Sequence, residues 1–165
     1  MDNSRAGFIV STVYLWIAVV AFGGILAETI IIYPNVFHDV PASLGTSVEF
    51  MVAAGPADFF PPLGALTVVA AFTALAVLRP ARKWVAAGLV SLLLGEFLFS
   101  ALFFWPRNDV MFEEGAAVHS AEVLRQTAWE FETGHWVRLA MSLLTAVLAF
   151  AAFVRYQEHR RGALR

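Results

Sequence analysis

The chain contains no cysteine, which excludes disulfides, thiolate metal sites, thiol redox chemistry and cysteine nucleophiles together. Charge is also scarce: 15% of residues are charged, against about 25% in an ordinary soluble domain. Lysine is nearly absent, with one Lys beside ten Arg. A net charge of −2 with no basic tract excludes an ordinary nucleic-acid binder. There is no Gly-rich phosphate loop, no evident Ser–His–Asp order, no repeat and no low-complexity segment. What fills the 165 residues is apolar: 59% of them are hydrophobic and the mean hydropathy is +0.71. So much apolar material is incompatible with disorder and belongs to the membrane class.

Four runs come up to or near the ~20 residues that cross a hydrocarbon core. They cover about 7–33, stopped by Pro34; 59–78, before Arg79 and Pro80; 84–105, stopped by Pro106; and 136–154, before Arg155. Isolated segments cross lipid only as helices, because backbone groups must be satisfied within the segment. The fold class expected is therefore all-α, a single four-helix membrane domain over 1–165 with amphipathic outer-loop helices. The first run is longer than a signal-peptide core and lacks a strong small-x-small cleavage site, so it reads as a retained helix. Arg5, Arg79, Arg82, Lys83, Arg155, Arg160, Arg161 and Arg165 fall on one side. The positive-inside rule then makes both termini cytoplasmic and the protein multi-pass in the cell membrane. Loops 34–58 and 106–135 face outward. Ser43 to Ala54 reads as a short amphipathic helix with Val48, Met51 and Val52 on one side. Ser120 reads as the N-cap of a helix that continues into the fourth span, with Glu122 in its first turn. Small residues at Ala87, Ser91 and Gly95, at Gly24, and at Ala70 and Ala74 suit close helix approach.

Two carboxylates interrupt the apolar runs, Glu28 in LAETIIIYP and Glu96 in LLLGEFLFS. A charge inside a span is expensive, so each should face a partner or a cavity. Glu96 is expected to meet a polar group of the first or fourth span. The start of the fourth span carries Glu132, His135 and Arg138 at successive i+3 steps. Three readings stay open for this cluster. Arg138 can neutralise Glu28 or Glu96 as a structural ion pair. Glu28, Glu132 and His135 can hold a single metal ion, the one cofactor these residues would suit; a di-metal site would need a second Glu-x-x-His. Or His135 or a carboxylate removes a proton while Arg138 stabilises the oxyanion. For His135 itself the roles are base, structural donor or ligand.

Two patches carry a family resemblance: Pro106-Arg107-Asn108-Asp109-Val110-Met111 after the third span, and Trp129-(x5)-His135-(x2)-Arg138 at the start of the fourth. They resemble the small four-helix membrane family that includes the fungal anthrone oxygenases, most of whose bacterial members are uncharacterised. The resemblance points to Asn108, Trp129, His135 and Arg138; Glu28 and Glu96 rest on burial alone. It implies cofactor-free or metal-assisted oxygenation of a polycyclic phenolic ketone, whose acidic ring methylene loses a proton to give a carbanion that reacts with O₂. On this reading His135, Arg138 and Glu96 are catalytic, and Trp129, Asn108 and Glu28 bind substrate. The partners expected are the bilayer and a lipophilic small molecule, with a homo-oligomer left open. The rival class is a non-enzymatic membrane subunit that binds a lipid or quinone-like molecule or assists a larger complex. An enzyme needs a cavity reaching His135 and Arg138, whereas a scaffold would have them fully paired.

Overall fold

The computed structural model describes residues 3–162; Arg165, counted above in the charge bias, lies outside them. Four helices are long and apolar enough to cross a membrane: α1 (Arg5–Val36), α3 (Pro56–Val77), α4 (Arg79–Val118) and α5 (Ala121–Gly162). A short helix, α2 (Ala42–Phe50), links α1 to α3. No strand occurs among the described residues. Consecutive long helices pack as neighbours and α1 closes the ring against α5, the arrangement that short links between antiparallel helices favour.

Neither Pro34 nor Pro106 ends its helix. Proline lacks an N–H and its ring crowds the carbonyl four residues back. Here the backbone widens by one residue instead of breaking. Tyr33 N–H bonds to the Glu28 carbonyl and Trp105 N–H to the Ser100 carbonyl, both five residues back. The wide π turn gives the proline ring room while keeping the neighbouring backbone groups bonded within the helix. The stretch expected as the 106–135 loop is consequently a helical hairpin. Gly115, at φ +55°, turns the chain just before its last helical residues, and His119 and Ser120 join the two arms. Ser120 caps α5 as expected, accepting from Val123 N–H at 3.3 Å. The arms are tied by Arg107, whose Nη2 donates to Glu130 Oε2 at 2.7 Å.

The small-residue contacts hold with shifted register. Ala87 is exposed, and Gly88 takes its place beside Ser91 and Gly95, because the contact face advances by alternating three- and four-residue steps rather than by fours alone. A Cβ on Gly95 would stand 2.4 Å from Met141 Cβ, and Ser91 Oγ donates to the Met141 carbonyl at 2.9 Å. On α3 the buried line is Thr67, Ala71 and Ala74, with Ala70 half-buried beside it. α2 also turns differently from its expected amphipathic sense. It ends at Phe50 and buries Ser43, Leu44 and Ser47, leaving Val48 and Val52 exposed.

Candidate functional site

Between two apolar clusters lies a polar layer built from three helices. α1 supplies Glu28 and Thr29 from its π turn, Glu28–Ile32. α4 supplies Glu96 from a second π-helical segment, Leu92–Leu98. α5 supplies His135 and Arg138. Wide turns of this kind re-aim side chains and recur at functional sites.

Glu28 is 5% exposed and His135 fully buried. Glu28 Oε2 stands 3.8 Å from Arg138 Nη1 and 3.9 Å from His135 Nε2, while Tyr33 Oη donates to Glu28 Oε1 at 3.1 Å. The hydrogen bonds fix the tautomer of His135. Thr29 has one hydroxyl proton and gives it to the Ile25 carbonyl at 2.7 Å. Its oxygen, 3.0 Å from His135 Nδ1, must therefore accept from Nδ1–H. Nε2 carries no proton, and its lone pair accepts from Arg138 Nη1 at 3.5 Å. Tyr33, Phe104 and Phe131 enclose the imidazole, with ring centroids 4.4, 5.1 and 5.5 Å away. Arg138 lies over the Phe60 and Phe104 rings at 5.0 and 5.7 Å, an apolar seat that favours a delocalised cation.

Burial leaves polar atoms unsatisfied here. Glu28 Oε2, Arg138 Nε and Ser100 Oγ are buried with no protein hydrogen-bond partner. Native interiors leave few such groups, and each marks strain or a site. Two cavities adjoin them. The larger, ≈730 Å³, lies between α1, α2 and α3, with Glu28, Phe59 and Phe60 in its wall. The smaller, ≈140 Å³, is bounded by Phe60, Glu96, Ser100 and Arg138. Phe60 thus divides them. Glu96 faces inward, as its cost in lipid requires, toward the Thr145 and Ser142 hydroxyls of α5 and the charge of Arg138.

The structure gathers Glu28, Glu96, His135 and Arg138 and separates the other nominated residues from them. Trp129 is 61% exposed and lies with Glu132 in a groove beside Phe37, His38 and Arg125. Asn108 is half-buried above Phe104. The donor set Glu28, Glu132 and His135 therefore does not converge: Glu132 lines the groove with Phe37, His38 and Trp129 rather than the layer of Glu28 and His135. Among the described residues no three His, Asp or Glu side chains are placed to hold a metal. His135 lines neither cavity; Glu28 and Arg138 do. Sequence reasoning missed Thr29 and Tyr33, which orient His135 and Glu28. Their signal was one of spacing, since both lie within five residues of a carboxylate in an apolar run. Phe59 and Phe60, in the first turns of α3, rim the larger cavity.

Residues 49–154 match the anthrone oxygenase family. The chain belongs to that family. The matched region takes in Glu96, Asn108, Trp129, His135 and Arg138 and leaves Glu28 outside it. No curated protein and no solved structure matches the chain. Family membership agrees with the resemblance carried by the two patches around Asn108 and His135.

Proposed function

We propose that the protein is a membrane-embedded oxygenase of a lipophilic aromatic substrate, working by proton abstraction and reaction with O₂. The observation that carries this reading is Glu28: a buried carboxylate whose Oε2 has no hydrogen-bond partner, on a residue that lines a ≈730 Å³ apolar cavity. Of the two bases left open by the sequence, His135 or a carboxylate, His135 lines neither cavity and Glu28 lines the larger. Glu28 is the group that meets the cavity, and it takes the proton from an acidic ring methylene at Oε2. Tyr33 holds Oε1. His135 Nε2, a lone pair 3.9 Å from Oε2, receives the proton after closing to hydrogen-bond distance, a movement of about 1 Å. Thr29 keeps Nε2 unprotonated for this step. Arg138 offsets negative charge passing between Glu28 and the substrate, and Glu96 balances Arg138 from the smaller cavity. The methylene carbon then reacts with O₂; one oxygen becomes its carbonyl and the other leaves as water. Asn108 and Trp129, carried by the resemblance, act at the rim outside this cluster.

The test is the purified protein in lipid nanodiscs with a hydroxylated anthrone, reading O₂ uptake and quinone absorbance. Glu28→Gln should reduce turnover by about 10²–10⁴-fold, the range of general-base catalysis, with thermal stability unchanged. Absence of turnover in the parent, together with instability of Arg138→Ala rescued by Glu28→Gln, would favour the rival reading of a non-enzymatic membrane subunit. We further infer that the protein sits in the cell membrane with cytoplasmic termini. Ser120→Cys, exposed at the hairpin tip, should then label with an impermeant thiol reagent in intact cells; labelling only after lysis reverses the orientation.

A further inference from the structure

The packing of α1 against α3 sets the level at which the larger cavity meets the membrane. A Cβ on Gly24 would lie 2.9 Å from Phe59 Cε1 and 3.3 Å from Phe60 Cε1. The first turns of α3 thus stand level with Gly24, twelve residues before α1 ends at Val36. At 1.5 Å per residue, about 18 Å of α1 rise past that level. The chain comes back down through α2, and the cavity is the space between the two. Its wall runs from Gly24 to Val36 on α1 and from Ala42 to Phe50 along α2.

Phe59 is twenty residues from Arg79, about 30 Å along a helix, which is the thickness of the hydrocarbon core. The membrane interface at this end therefore passes through Phe59 and through the C-terminal end of α2. There Phe50 is 83% and Val52 86% exposed. Water would be a poor solvent for them. They continue the apolar surface of Phe59, which is also exposed and stands at the cavity mouth, while the exposed Ile31 lies about 10 Å further along α1. An apolar edge of this kind on a short helix suits burial at the headgroup–acyl boundary.

We propose that the cavity opens sideways into the membrane interface, with the C-terminal end of α2 seated there as its lid, and that its occupant arrives from the bilayer. The occupant is a lipid-dissolved amphiphile. Its apolar part passes between Ile31, Phe50 and Phe59, and its polar end stays with His38, Asp39 and Ser43 at the upper end. This shares the cavity of the proposed function but none of its chemistry.

The absence of native cysteine makes the test direct. Phe50→Cys and Val52→Cys are labelled singly with a nitroxide in vesicles of phosphatidylcholine and phosphatidylglycerol, and collisions with O₂ and with a neutral nickel chelate are compared. O₂ collisions should exceed nickel collisions several-fold at both positions, and the order should reverse for Glu113→Cys on the projecting hairpin. A fluorescent label on Phe59→Cys should be quenched by brominated phosphatidylcholine. Nickel-dominated collisions at Phe50→Cys and Val52→Cys, or quenching of the Phe59 label by aqueous iodide and not by brominated lipid, overturn the proposal. All these side chains are exposed, so folding is undisturbed. No turnover is read, so an inactive protein with an interfacial α2 would refute the oxygenase reading alone.

Discussion

At the end of the bundle nearest the termini the helices meet through alanine: Ala18, Ala71, Ala74, Ala81, Ala146, Ala149 and Ala152 are buried together, with Tyr14, Leu78 and Val85 filling between them. At the α2 end the buried cluster is Tyr33, Phe104, Phe131, Met111 and Leu124. Small side chains let backbones approach, so the first region is held by close packing along regular helix. Large rings hold backbones apart, and the second region accommodates them with π turns, bends and cavities. The polar layer sits on the boundary. That placement is physically reasonable: only where the helices separate is there room for Glu28, His135 and Arg138, and only beside a packed region are they held in place. The comparison teaches that polarity inside this bundle is tolerated where packing is least regular.

The largest effect that would break the comparison is at the boundary itself. Arg138→Ala leaves Glu28 buried and unpaired, and should cost about 3–5 kcal/mol; thermal unfolding in detergent should show it, and Glu28→Gln in the same chain should recover most of the loss. If the single variant is as stable as the parent, the polar layer is not held by its charges. Gly95→Val tests the close approach of α4 and α5 beside the polar layer, because its Cβ meets Met141. Overpacking there should cost about 1–3 kcal/mol, while Gly23→Ala, with nothing within 4 Å of its Cβ, should not destabilise. Equal losses at both glycines would contradict the close approach of α4 and α5. Glu96→Leu should cost about 1–3 kcal/mol by leaving its partners unpaired, and Glu96→Gln much less. Tyr33→Phe removes one hydrogen bond to Glu28, worth about 1.5–3 kcal/mol at a charged acceptor, and should lower turnover if Glu28 is the base. The smallest effect belongs to the exposed Arg155–Glu158 pair, 3.4 Å apart. Glu158→Gln should stay within about 1 kcal/mol of the parent.

Much of this was legible in the residues. Hydropathy located the four membrane helices, Ser120 marked the start of α5, and the cost of charge in lipid singled out Glu28 and Glu96 as inward-facing. The departures have separate causes. Pro34 and Pro106 read as helix ends because proline lacks an N–H and crowds the turn before it, and the wide turn that absorbs both has no signature in the sequence. Ala87 was read in place of Gly88 because a strict four-residue step drifts off the true contact face. Glu132 was grouped with His135 because an i, i+3 spacing gives proximity on the helix surface but not the direction in which a side chain leaves it.

What the sequence by itself determined was the membrane class, the number of long helices and the identity of the buried charges, since each follows from transfer energies of residues taken singly or in runs. Which charges meet, which nitrogen of His135 is unprotonated, and which of them faces a cavity were decided only by the tertiary structure. Those properties depend on the one-residue widening of α1 before Pro34 and on the distance at which Phe60 and Phe104 hold the helices apart. Both are set by packing between segments that are far apart along the chain.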